Sequence, residues 1–179
     1  MEIRRANIII NHSGGNSGER SQNYKISLPT KWMQTLGIAK GDNGVEISFD
    51  GEQIVIIRSL DVAEFVKRSL NMGHNVKQLN YYNENELCSC IYADFTDRLV
   101  KVKNENKPNI LLAFGSNTMP LWNDFMLFLE DRCIPRSVDG IKYYLNELGL
   151  CEYDPLEIIK HTKGRMSEDN QWLEVIDLK

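Results

Sequence analysis

The chain has 179 residues, of which 42% are hydrophobic and 26% charged, and a net charge of −4 at pH 7. This composition is typical of a folded protein and excludes a disordered one, and no apolar run approaches the roughly 20 residues of a membrane-spanning helix. The first residues contain no apolar signal segment, so we expect a cytoplasmic protein without a membrane partner.

The charges are unevenly distributed along the chain. Residues 1–60 carry seven Lys and Arg against six Asp and Glu, whereas residues 108–179 carry seven against twelve. The first 31 residues are the most basic part, with five basic residues against two acidic ones. A basic N-terminal part can bind nucleic acid although the whole chain is acidic, and the acidic tail is a poor candidate for phosphate contacts.

The four cysteines are Cys88, Cys90, Cys133 and Cys151. In a reducing compartment we interpret them as apolar packing residues and not as disulfides. A zinc site would need a second close pair or histidines at ligand spacing, and the sequence has neither. We therefore predict no metal and no cofactor.

A β-branched run at residues 8–10 predicts a first strand over residues 3–10. Residues 11–21 are rich in Gly, Ser and Asn and predict a loop. This loop is either a solvated hairpin connection or an arm that becomes ordered on a partner, with Arg20 near its end. A nucleotide site is the weaker alternative, because the lysine and helix of a phosphate-binding loop are missing.

Alternating apolar residues predict a second strand over residues 24–28. Pro29 then begins a two-turn helix that Gly37 ends. Its apolar side contains Trp32, Met33 and Leu36. So short a helix is not stable alone and must pack on the strands.

Two further strands, residues 45–49 and 53–57, are joined by the turn-forming pair Asp50-Gly51. The N-terminal part therefore has about fifty residues and one short helix. Because such a small unit buries too little apolar surface to be stable alone, we expect it to dimerise.

This order of elements resembles the AbrB/MazE/SpoVT family over residues 3–58, about a third of the chain. The similarity rests on a strand, a variable loop, a short helix and a final hairpin, with the segments Ile26-Ser27-Leu28-Pro29, Leu36-Gly37-Ile38 and Gly41-Asp42 between them. The resemblance implies a swapped-hairpin β-barrel, in which two chains interleave their strands. It also implies that the homodimer binds double-stranded DNA.

In that family, basic residues beside the first two strands contact the DNA. The candidate DNA-binding residues in this chain are Arg4, Arg5, Asn7, Arg20, Lys25 and Lys31. The chain departs from the family pattern in two ways. The long loop at residues 11–21 replaces a tight turn, and Tyr24-Lys25 stands where a Gly-Arg pair normally opens the second strand. These departures affect individual operator contacts more than they affect the barrel.

Residues 61–114 predict a helix followed by a small antiparallel β unit. Asp61 begins the helix and Gly73 ends it. The expected strands cover residues 77–82, 87–95, 99–103 and 110–114.

Residues 117–179 predict a helical module. Its most apolar helix covers residues 119–131 and contains Trp122. Ser137 is expected to cap the next helix, and Asp154-Pro155 to begin another. This last third resembles a short helical module of bacterial proteins related to HipA-like kinase systems, but the motifs of the kinase itself are absent, so the resemblance implies no activity.

Residues 132–137 carry two arginines around a proline between two helices. This segment is either an exposed loop that binds an acidic or phosphorylated partner or a helix connection with solvated ends, and we favour the connection. The candidate contacts for a protein partner are Trp122, Arg132 and Arg136.

We therefore predict an α+β protein. Residues 1–58 form a swapped-hairpin β-barrel as a dimer, and residues 61–179 form a partner-binding or sensing domain that is β-rich over 74–114 and helical over 117–179. The predicted function is a dimeric sequence-specific DNA-binding transcriptional regulator, an antitoxin or autorepressor whose C-terminal part binds a protein such as a toxin. The alternative is an inhibitor or adaptor that uses the barrel mainly to dimerise. The sequence contains none of the catalytic motifs that would predict an enzyme.

Overall fold

The structure, a computed structural model, describes residues 2–12, 22–41, 43–49 and 51–179. The chain divides into two compact units, Met1–Ser59 (unit 1) and Leu60–Lys179 (unit 2). Both contain helices and small antiparallel sheets, so the α+β class is confirmed.

Unit 1 contains two separate β-hairpins and one short helix. In chain order its elements are β1 (Ile9–His12), β2 (Gln22–Lys25), α1 (Thr30–Thr35), β3 (Val45–Phe49) and β4 (Ile54–Arg58). Strand β1 pairs with β2, and β3 pairs with β4, both antiparallel. Within the described residues these two sheets remain separate and no closed barrel forms.

The first strand is shorter and lies later than the sequence predicted. Pairing begins at Ile9, opposite Lys25, and continues to His12, whereas residues 3–8 have no regular structure. The prediction of a strand over residues 3–10 was therefore wrong at its start. The reason is that Lys25 is the last residue of β2, so residues 3–8 have no strand beside them.

None of the described residues of unit 1 is buried. The β3–β4 hairpin has one strongly apolar face, because Ile47 lies opposite Ile56 and Phe49 lies opposite Ile54. Ile47, Phe49 and Ile54 are 65–69% exposed. The described part of a single copy of unit 1 therefore contains no hydrophobic core.

Unit 2 is built on a four-stranded antiparallel sheet in the order β7-β6-β5-β8. Its elements are α2 (Val62–Asn71), β5 (Val76–Asn83), β6 (Glu86–Asp94), β7 (Leu99–Asn104), a short 3-10 helix (Asn109–Leu111), α3 (Trp122–Asp131), α4 (Ile141–Glu147), α5 (Pro155–Thr162) and β8 (Gln171–Asp177). The last strand adds to the sheet beside β5, about ninety residues away in sequence. The β-rich and helical segments therefore share one sheet.

Three sequence expectations for unit 2 were wrong. Residues 110–114 form no strand, because the chain turns at the 3-10 helix. Residues 171–177 are a strand, so residues 117–179 are not purely helical. Ser137 does not cap α4, which begins after Gly140 in the left-handed conformation (φ 85°), because residues 135–140 first form turns.

The core of unit 2 lies between one face of the sheet and helices α3, α4 and α5. Leu79, Ile91, Phe125, Leu129 and Ile158 are fully buried there. Burial of such side chains stabilises a fold by about 1.5–3 kcal/mol each. Unit 2 therefore has a hydrophobic core, in contrast to the described residues of unit 1.

Helix α2 covers part of the opposite face of the sheet. Its N-cap is Asp61, whose carboxylate accepts a hydrogen bond from the backbone N–H of Glu64 at 2.8 Å, as the sequence predicted. Phe65 and Ser69 point from α2 toward the sheet and are buried. Helix α5 also begins as predicted, with Asp154 accepting from the N–H groups of Leu156 and Glu157 at 2.9 and 3.2 Å.

Among the described residues, every helix is too short or too polar to cross a bilayer.

Candidate nucleic-acid interface

The β1–β2 hairpin arranges its side chains into two different faces. Paired residues of an antiparallel ribbon point to the same side, and successive residues alternate. Ile9 lies opposite Lys25, and Asn11 lies opposite Asn23, so these four residues share one face. This face carries one cation and two amides beside a single apolar residue. We call it the polar face of the ribbon.

The other face of the ribbon carries Ile10 opposite Tyr24. The Tyr24 hydroxyl donates a hydrogen bond to Oε1 of Gln22 at 2.8 Å, which is consistent with both side chains pointing to that side. Ile10 is 55% exposed and Tyr24 is 63% exposed. Both faces of the ribbon thus combine apolar and polar residues, and neither face is buried.

The other predicted DNA contacts are spread over unit 1. Arg4, Arg5 and Asn7 lie in the exposed segment before β1 and have no strand beside them. Lys31 is exposed in the first turn of α1. Arg20 and most of the predicted loop at residues 11–21 lie outside the described residues. Of these candidate cations the ribbon positions only Lys25, because Arg4 and Arg5 precede β1 and Lys31 belongs to α1.

The segment that contains β2 and α1 has a positive net charge. Residues 22–41 contain Lys25, Lys31 and Lys40 and no Asp or Glu. Among the described residues, none of the ion pairs involves Arg4, Arg5, Lys25 or Lys31. Exposed cations without a carboxylate beside them are available to neutralise phosphates.

Sequence reasoning missed Asn23 as a candidate site residue. Its position opposite Asn11 depends on the register of the hairpin. Because a long loop separates the two strands, this register could not be predicted from the sequence. An Asn amide can form hydrogen bonds with both N6 and N7 of adenine. Two asparagines beside a lysine are therefore suited to recognise a base edge in the major groove. The signal in the sequence was that Asn23 stands two residues before Lys25, and residues two apart in a strand share a face.

Arg132, which the sequence predicted to contact a partner, lies inside unit 2. The residue is only 7% exposed. Its Nε donates to the carbonyl of Gly164 at 3.0 Å, and its Nη2 donates to Oδ1 of Asp169 and to the carbonyl of Gln171 at 3.0 and 2.9 Å. Although burial opposes the charge, the hydrogen bonds to Asp169 keep the pKa of Arg132 above its ordinary value. Its donors are used inside unit 2.

The other two predicted partner contacts differ in exposure. Trp122 packs against the core, with its ring 5.1 Å from that of Phe95 and 5.2 Å from that of Phe125. Arg136 is exposed, and its guanidinium lies 4.7 Å from the centre of the Tyr153 ring. Arg136 is therefore the predicted contact that remains open to a partner.

His74, Asp94 and Asp97 bring three possible metal-ligand atoms within 4.8 Å of one another. Nδ1 of His74 lies 2.7 Å from Oδ2 of Asp94. Oδ1 of Asp94 accepts from the N–H groups of Thr96 and Asp97 at 2.9 and 3.2 Å. Burial opposes ionisation of Asp94, but these hydrogen bonds together with those from His74 and Ser69 lower its pKa. The buried carboxylate is already saturated by donors, so we interpret the cluster as a structural anchor of α2 and the β6–β7 turn.

No family model, curated protein or solved structure matches this chain.

Proposed function

We propose that this chain is a dimeric sequence-specific DNA-binding regulator, whose two copies of unit 1 interleave their hairpins into one β-barrel. The observation that carries this proposal is the absence of any buried residue among the described residues of unit 1 beside a full core in unit 2. A unit without a core needs a second surface to bury its apolar side chains. A second copy of the same chain always supplies one.

The β3–β4 hairpin supports a second copy as the partner. The apolar pairs Ile47 with Ile56 and Phe49 with Ile54 form a continuous ladder on one face. Exposed apolar ladders of this kind are typical of interfaces, and most soluble homo-oligomers are two-fold dimers. Each hairpin also has unpaired edges, which a swapped strand from another chain would pair.

The β1–β2 ribbon supports DNA as the ligand. A two-stranded antiparallel ribbon fits the major groove, where Asn and Arg or Lys side chains distinguish bases. In the proposed complex Lys25 contacts phosphate, and Asn11 and Asn23 contact base edges. Arg4, Arg5 and Lys31 add phosphate contacts around the ribbon. A two-fold dimer would present this set twice and read a palindromic site.

The proposed role of unit 2 is to bind a protein partner, as in an antitoxin or autorepressor. Unit 2 carries 14 basic residues and 19 acidic ones, and Arg136 is exposed at one of its helix connections. The acidic charge also favours the alternative function of an inhibitor or adaptor that uses unit 1 mainly to dimerise.

A salt-dependent DNA-binding series tests the proposal. Fluorescence anisotropy would measure the affinity of the full chain for a duplex from upstream of its own gene and for a scrambled duplex. The triple variant Arg4→Ala, Arg5→Ala, Lys25→Ala should lose affinity and lower the slope of log K against log salt by about 0.9 for each phosphate contact removed. The matched control Arg68→Ala, Arg98→Ala, Lys142→Ala removes three exposed cations of unit 2 and should change neither the affinity nor the slope.

Two outcomes would contradict the proposal. If the triple variant keeps the slope of the parent chain, the assigned residues do not contact phosphate. If the parent chain binds neither duplex but co-purifies with a protein through unit 2, the chain is an inhibitor or adaptor and not a DNA-binding regulator.

A further inference from the structure

A groove of 820 Å³ lies in unit 2 between α2 and the face of the sheet that the main core does not use. One wall is α2, where Val62, Val66 and Leu70 recur at helical spacing and are only half-buried. The other wall includes Tyr92 of β6 and Leu178 after β8. This groove is separate from the residues used in the proposed function.

The shape of α2 explains why the groove exists. Phe65 and Ser69 are the buried residues of the helix. Val62, Val66 and Leu70 lie beside them and are only half-buried. In globular proteins an apolar stripe of this width on a helix normally packs against the core. In α2 only part of the stripe does so, and the rest lines the groove.

The charged side chains that line the groove are all positive. Lys67 belongs to the helical wall and Lys103 to the sheet wall, and Lys179 also lines the groove. None of the described lining residues carries an Asp or Glu side chain. This is notable because unit 2 as a whole has five more acidic than basic residues. Among the described residues, neither Lys67 nor Lys103 has an ion-pair partner.

We propose that this groove binds a small amphiphilic carboxylate, with an aliphatic chain along α2 and the carboxylate between Lys67 and Lys103. Pockets for small molecules have volumes of roughly 300–1,000 Å³, mostly apolar walls and a few polar groups that fix orientation. Val62 to Leu70 covers about 12 Å along the helix axis at roughly 1.5 Å per residue. An extended chain of about ten carbon atoms has a similar length. Lysine stems cover apolar surface while their ammonium groups reach an anion at the rim.

Titration calorimetry on the full chain tests this site, with decanoate as the probe at concentrations below its micelle range. Decanoate should bind saturably, whereas decanol and decyltrimethylammonium of matched chain length should bind much more weakly. Lys67→Ala and Lys103→Ala should each weaken decanoate binding about fivefold. Lys142→Ala, an exposed lysine on α4, is the matched control and should leave it unchanged.

A second variant tests the apolar part of the site without removing charge. Ala63 is exposed on α2 and lines the groove, so Ala63→Phe fills it without replacing a core residue. It should abolish decanoate binding while the far-ultraviolet circular dichroism and the melting temperature stay near those of the parent chain. The proposal is overturned if decanoate fails to bind, if the three probes bind equally, or if the lysine variants bind like the control.

Discussion

Arg132 and Asp169 form a two-point ion pair in which both terminal guanidinium nitrogens reach the carboxylate, at 2.5 and 3.0 Å. The pair joins the end of α3 to the segment before β8. Arg132 also donates to two backbone carbonyls, those of Gly164 and Gln171. One side chain therefore connects the end of α3 to residues 164–171, which lie 32 to 39 residues later in the chain.

Replacing Arg132 should destabilise unit 2 strongly. Arg132→Met leaves two carbonyls and the Asp169 carboxylate, which is 31% exposed, without this donor, and we expect a cost of about 1–3 kcal/mol. Urea unfolding in a Trp32→Phe background measures this, because the remaining tryptophans then report unit 2 alone. Arg136→Met is the matched control and should change the free energy of unfolding by less than about 0.5 kcal/mol. Equal stability of the two variants would contradict the role given to Arg132.

The stability of unit 2 should also fall in acid. The hydrogen bonds of Arg132 lower the pKa of Asp169, and those of His74, Ser69 and two backbone N–H groups lower the pKa of buried Asp94. A carboxyl with a lowered folded pKa contributes its full stability above its unfolded value of about 3.9, and loses it as pH falls through the folded value. The free energy of unfolding should therefore decrease below about pH 4.

Asp94→Asn separates this effect from general acid unfolding. The variant should lower stability at pH 7 by about 1–3 kcal/mol, because an amide cannot accept at both of its ends. It should also reduce the slope of stability against pH below pH 4. A slope equal to that of the parent chain would show that Asp94 does not titrate in this range.

Local sequence signals predicted several elements closely. The expected strand over residues 45–49 is β3 with the same bounds, and the caps at Asp61 and Asp154 are formed. These elements are set by short-range chemistry: apolar alternation, a side chain that accepts from the first turn of a helix, and a proline in that turn. Each of these features can be recognised from a few consecutive residues.

Long-range pairing could not be predicted from the same signals. The sequence predicted a helical module over residues 117–179, whereas β8 lies within this range and pairs with β5, about ninety residues earlier in the chain. Arg132 and Arg136 both stand near Pro135, yet only Arg132 is buried. What distinguishes them is Asp169, which lies 37 residues from Arg132.

Gly164 should be intolerant of any side chain. Its φ of +58° is unfavourable for other residues, and an added Cβ would lie 3.2 Å from Cβ of Arg132 and 3.3 Å from Cδ1 of Leu173. We expect Gly164→Ala to cost about 2–4 kcal/mol from backbone strain and overpacking together. Gly140 (φ +85°) has nothing within 4 Å of such a Cβ, so Gly140→Ala should show only the strain of about 1–2 kcal/mol. Thermal unfolding compares the two, and an equal loss would exclude the packing contribution at Gly164.

The thiols should differ sharply in reactivity. Cys88, Cys90 and Cys133 are buried, and burial raises the pKa of Cys133 to about 12, whereas Cys151 is exposed. Because the thiolate is the reactive form, one thiol should react quickly with Ellman's reagent at pH 8 in the native protein, and four after denaturation. Cys151→Ser should remove the fast phase. A fast phase that persists in this variant would show that one of the buried thiols is reached by solvent.

Phe49 should be required for dimerisation. It is 69% exposed on the apolar ladder of β3–β4, opposite Ile54, so in the proposed dimer it is buried against the second copy. Phe49→Lys places a charge in that interface and should convert the dimer to monomer at micromolar concentration, as measured by sedimentation equilibrium. Ile110, which is 86% exposed in unit 2, provides the control Ile110→Lys, which should remain dimeric. A parent chain that is monomeric, or a Phe49→Lys variant that stays dimeric, would remove the basis for a shared barrel in unit 1.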